Sequence, residues 1–133
     1  MIQAGTAPVV KQIGRPSRAG LLLRWNVALE GLRRDPNAFD PSHGALADQL
    51  DRIGLPTEAV QLRAASAAAA RARGVQLVAS ARPIVDAAGV RSLNVDERIR
   101  LDAIVRGLRA VGRVYDADQL QGVVTANIAR FGQ

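Results

Sequence analysis

The sequence predicts an all-α fold: a compact bundle of four to five helices, with an extended N-terminal arm and a C-terminal helical hairpin. Three observations point to it. Apolar residues recur at three-and-four spacing in several segments, which is the period of a helix face. Gly, Pro, Asn and Asp fall between those segments, where helices stop and start. Hydrophobic residues make up 48% of the 133 residues but aromatics only 3%, so the core must be built from Ala, Val, Leu and Ile, which suits closely packed helices.

Taken in order, residues 1–17 are read as an extended basic arm and 18–133 as one helical domain. The arm carries Gly5, Pro8, Gly14 and Pro16 and has no helical periodicity. Gly14, Arg15 and Pro16 resemble the core of an AT-hook, a unit that lies in the minor groove, although the second Gly-Arg of a full hook is missing. The plainer reading is that Pro16 and Ser17 end the arm and cap the next helix.

From Arg18 to Arg34, Leu21, Leu22, Trp25, Ala28, Leu29 and Leu32 share one face, with Trp25 as the expected large anchor of the core. Leu23 and Val27 fall on the other side, so this helix is expected to touch a second neighbour. Asp35-Pro36-Asn37 marks a loop, and Asp40-Pro41 reads as N-cap and first position of a short helix. Its stripe is Leu46, Leu50 and Ile53, and Gly54 closes it.

Pro56 to Arg73 is an alanine-rich helix. Together with Ala45 to Ile53 it has the outline of a helix-turn-helix, in which Arg63, Arg71 and Arg73 would meet phosphates. The dominance of Ala where a reader helix needs polar side chains counts against this. Val75, Leu77 and Ala79 alternate like a strand with no second strand to pair, which favours an irregular connection through Ser92. Prolongation of the helix past Gly74 is the alternative.

Asn94 and Glu97 have the spacing of a capping box, so a helix should begin at Val95 and bury Leu101, Ile104, Val105, Leu108 and Val111 up to a stop at Gly112. Its opposite face carries Arg98, Asp102, Arg106, Arg109 and Arg113. This net basic ridge is either a solvated face or a contact for phosphate or an acidic partner, since Arg presents a planar donor fork to oxyanions. A last helix, capped by Asp116 or Asp118, should turn Leu120, Val123, Val124, Ile128 and Phe131 inward. Its far face is Gly122, Thr125, Ala126 and Ala129, nearly free of charge. Such a helix is either the centre of the bundle or docks its back face on another subunit.

Chemistry-bearing constellations are sparse. The single His and the absence of Cys leave no expected metal site, cofactor site or thiol nucleophile. Ser42, His43 and Asp48 lie along one short helix, where a triad cannot form its line of hydrogen bonds. No glycine-rich loop follows a strand. The expectation is therefore a protein without catalytic residues. No secretory leader or membrane span is read, which makes the cytoplasm, or a particle assembled there, the expected location.

The formal net charge of +6, with Lys11 the only lysine among 18 basic residues, raises acidic proteins and nucleic acid as partners. The leading expectation is a structural or adaptor subunit of a phage-like particle or other multiprotein machine. It would bind protein subunits, including copies of itself, through Leu23, Val27, Gly122, Thr125, Ala126 and Ala129. The alternative is a DNA-binding protein using Arg15, Arg18, Arg63, Arg71 and Arg73, with Arg98, Arg106, Arg109 and Arg113 available to nucleic acid or an acidic partner. No membrane or small-molecule substrate is implied.

Overall fold

A computed structural model describes residues 17–132. The fold is all-α, with no strand among the described residues. The helices are α1 (Arg18–Arg34), α2 (Ser42–Arg52), α3 (Pro56–Ala88), α4 (Val95–Ala110) and α5 (Val114–Phe131), with a 3-10 turn at Pro36–Ala38. Contacts group the chain into two units whose boundary falls between Ala67 and Ala68, within the length of α3.

In the first unit, Ser17 caps α1 by accepting the Gly20 N–H at 3.0 Å, which satisfies one of the four free donors at a helix start. Leu21, Leu29 and Leu32 are buried, as are Leu46, Ala47 and Leu50 of α2 and Leu55, Ala59 and Leu62 at the start of α3. Trp25 is only half-buried, so leucines are the anchors of this unit and the expectation for Trp25 is corrected. α2 starts one residue later than expected, at Ser42, and Asp40 Oδ1 accepts the Ser42 N–H at 2.9 Å. It ends in a Schellman turn: Gly54 has φ 83°, its N–H donates to Asp51 O, and the Leu55 N–H donates to Leu50 O at 2.9 Å.

In the second unit, the segment read as an irregular connection is helix. α3 runs without interruption through Val75 to Ala88. The alternation of Val75, Leu77 and Ala79 is overridden by a longer stripe in helical phase, Leu77, Ala81, Ile84 and Ala88, all buried in one cluster with Leu93, Leu101, Ile104, Val105, Leu108 and Ala117. Pro83 removes one helical donor and costs about 3 kcal/mol in a helix interior. Burying Leu77 and Ile84 returns roughly 1.5–3 kcal/mol each.

The hairpin of α4 and α5 has the expected entry and turn. Asn94 accepts the Glu97 N–H at 2.8 Å, and Glu97 Oε1 accepts the Asn94 N–H at 2.9 Å, completing the capping box. Gly112, at φ 84°, makes a second Schellman turn, in which the Arg113 N–H donates to Leu108 O at 2.8 Å.

That turn leads straight into α5 at Val114, ahead of both aspartates proposed as caps. Arg113 stands at the N-cap without a side-chain cap bond. Asp116 instead sits in the first turn, where a carboxylate suits the helix dipole.

The inward stripe of α5 also differs from the one expected. Ala117 and Asn127 are its buried residues, Leu120, Val123 and Val124 pack partly buried against the cluster, and Ile128 is 45% exposed.

Candidate interaction surface

The buried polar residue Asn127 shows what the inner face of α5 is for. Its Oδ1 accepts the Leu93 N–H at 3.0 Å, and its Nδ2 donates to Ala88 O at 2.8 Å and Arg91 O at 2.7 Å. One side chain thus satisfies three backbone groups at the end of α3 and in the loop that follows it, two of them in buried bonds.

The opposite face of α5 is open. Gly122, Thr125, Ala126 and Ala129 are all exposed, and a Cβ built on Gly122 would meet nothing within 4 Å. This excludes the reading of α5 as a helix surrounded on all sides. Gly107 of α4 is the contrasting case, because a Cβ there would stand 2.9 Å from Leu77 Cδ1. A side chain at Gly107 would force Leu77 to shift, whereas no described residue approaches a Cβ at Gly122.

In the first unit, Leu23 and Val27 are 66% and 63% exposed and lie one turn apart on α1. They line an open groove of about 420 Å³ with Arg24, Ala28, His43 and Leu46. His43 Nδ1 and Trp25 Nε1 are buried without hydrogen-bond partners among the described residues. Asp48, the third member of the Ser42, His43, Asp48 set, is instead bound by Arg63 at 2.8 Å.

Four of the nine arginines named as anion contacts, Arg63, Arg106, Arg109 and Arg113, hold carboxylates of this chain. Arg63 bridges Asp48 and Asp51, at 2.8 and 2.7 Å. Arg106 pairs with Asp102 at 3.1 Å, and Arg109 with Asp118 at 2.9 Å while also donating to Gln121 at 2.9 Å. Arg113 pairs with Asp116 at 2.7 Å, and its side chain passes over Gly74, where a Cβ would collide with Arg113 Cδ.

Arg98 forms no such pair with Asp102. Its Nε is buried without a partner among the described residues, and the two residues line a small cleft of about 120 Å³ with Gln121 and Thr125. Arg18 donates to Ile53 O at 3.2 Å. Arg71 is exposed, and Arg73 is half-buried beside the groove between α3 and α4. Arg15, with Gly14 and Pro16, lies outside the described residues.

The pairing of Arg91 was not anticipated from the sequence. Arg91 grips Glu97 through both nitrogens at 2.8 Å. That contact, with the Asn94 backbone bond, holds the Glu97 carboxyl at about 2, well below its usual range. Asp40 is likewise lowered, mainly by the backbone hydrogen bond from Ser42. Among the described residues no group of three or more His, Asp or Glu could hold a metal ion, and no helix is long and apolar enough to cross a membrane. No family, no curated protein and no solved structure matches this chain.

Proposed function

We propose that the protein works by contact, as a non-enzymatic structural or adaptor subunit of a larger assembly. The observation that carries this reading is the pair Leu23 and Val27, two large apolar side chains left exposed at the wall of a groove floored by Ala28 and Leu46. Contiguous exposed apolar surface marks interaction sites more often than scattered single residues do. The uncharged back face of α5 adds a second surface of the same kind.

Native mass measured by light scattering on nuclease-treated protein, at moderate and high salt, tests this reading. The expected result is a defined oligomer that survives high salt and is reduced to monomer by Leu23→Glu with Val27→Glu. A monomer at every salt concentration, unchanged by the double substitution, contradicts self-assembly through this face.

The second reading, DNA binding through a helix-turn-helix-like pair, draws on the net charge of +6 and on exposed Arg71. It has less support, because Arg63 is held by Asp48 and Asp51. Its signature would be an affinity that falls steeply with salt.

A further inference from the structure

Besides Leu23 and Val27, a second pair of large apolar side chains stands open on one helix. Val95 and Ile99, one turn apart at the start of α4, are 70% and 60% exposed. The two pairs share more than their spacing. Arg24 follows Leu23 and Asp96 follows Val95, so each pair carries one charge at the same offset, of opposite sign. Both charged residues are exposed, and neither forms an ion pair among the described residues. Each patch also ends at an i, i+4 ion pair of its own helix, Glu30 with Arg34 on α1 and Asp102 with Arg106 on α4.

The hand of the helix decides how two such patches meet. Viewed from outside with the N-terminus at the bottom, the residue after Leu23 or Val95 lies above it and to the right. Parallel packing face to face therefore puts Arg24 and Asp96 on opposite flanks. Antiparallel packing puts them on the same flank, about 3 Å apart along the axis at 1.5 Å per residue, with Leu23 against Ile99 and Val27 against Val95. Only the antiparallel orientation pairs the charges while covering all four apolar side chains.

From this complementarity we infer that the α1 face of one copy docks antiparallel on the start of α4 of a second copy. Two α1 faces, or two α4 faces, packed antiparallel would bring like charges together, so the contact joins unlike faces. A pair joined in this way still presents one open face of each kind, to which further copies add. Four aliphatic side chains supply only part of the roughly 1,200–2,000 Å² that a stable interface buries. The contact therefore works together with the back face of α5, and loss of either returns monomers. The inference rests on the reading of the protein as a subunit that binds its own copies, and adds which surface the Leu23 and Val27 face meets.

The test is sedimentation equilibrium of the nuclease-treated full chain, which gives the concentration at which half the chains are assembled. Arg24→Glu and Asp96→Arg should each raise that concentration at least tenfold, because like charges then meet across the contact. An equimolar mixture of the two variants should return to within about threefold of the wild type, since alternating copies again join opposite charges at every junction. That recovery also shows that Asp96→Arg folds, although it removes an acidic residue from the first turn of α4. Ile99→Glu should weaken assembly as much as Leu23→Glu does. Arg33→Glu, the same charge change elsewhere on exposed α1 surface, should shift it less than twofold. The inference alone is overturned if assembly responds to Leu23→Glu but not to Asp96→Arg, if the mixture assembles no better than either variant, or if Arg33→Glu costs as much as Arg24→Glu. Wild-type protein that stays monomeric at every concentration overturns self-assembly itself and the inference with it.

Discussion

Helices α4 and α5 form one hairpin yet meet their requirements in different ways. α4 has a complete capping box, a Schellman stop and a continuous buried stripe, and its glycine is explained by Leu77 packed against it. α5 starts without a side-chain cap, buries a polar residue at the centre of its inner face, and leaves Gly122, Ala126 and Ala129 open to solvent. The difference separates residues that the chain itself explains from residues that it does not. The back face of α5 belongs to the second group, together with Leu23 and Val27.

The largest expected effect lies on the α4 side. Leu108 is fully buried, and Leu108→Ala should cost about 4 kcal/mol through lost transfer energy and a residual cavity. Ile128→Ala on exposed α5 surface should stay within about 0.5 kcal/mol. Denaturant midpoints measure both, and similar losses would erase the contrast between the helices.

Asn127→Ala comes next. It strands the Leu93 N–H and the Ala88 and Arg91 carbonyls, at about 3 kcal/mol given a cost of roughly 1–3 kcal/mol for each buried unsatisfied group. Asn127→Leu should not rescue it. If the leucine variant matches the wild type, the position is apolar core and its hydrogen bonds are incidental.

Gly107→Leu should cost about 2 kcal/mol by overpacking against Leu77, read from the same denaturant curves. A neutral result would mean that the two helices separate easily.

The smallest effect is a pH dependence at the α4 cap. Glu97 titrates at about 2 in the fold against an ordinary 4.5, first because of Arg91 and then because of the Asn94 backbone bond. A depressed carboxyl stabilises the fold fully above its unfolded value, and that contribution is lost as pH falls from about 4.5 toward about 2. Thermal midpoints across this window should fall less steeply for Glu97→Gln than for the wild type. Identical slopes would place the acid sensitivity elsewhere.

The legibility of the fold in the sequence follows the same division. α4 could be read because its signals are local: Asn94 and Glu97 are three residues apart, Gly112 supplies a positive φ, and the stripe is continuous. Val75 to Ala88 misled because the short alternating run Val75, Leu77 and Ala79 outweighed a buried stripe whose period is visible only over three turns. Asn127 shares the inward phase of Ala117, Leu120 and Val124, but its partners lie more than thirty residues away. Shorter separations, 15 and 9 residues, also hid the fate of Arg63 and Arg109, whose carboxylates come from other helices. The exposed residues Leu23, Val27, Gly122 and Ala126 could be picked out from the sequence because they break the apolar pattern of their own helices.

The most direct test of the central claim is Gly122→Leu, followed by denaturant midpoint and native mass on the same preparation. A leucine at this open position should leave the midpoint within about 1 kcal/mol of the wild type, since it replaces a mid-helix glycine, while the native mass falls to that of the monomer. Loss of the fold itself, or an unchanged oligomer, would contradict the assignment of this face to contact with another subunit.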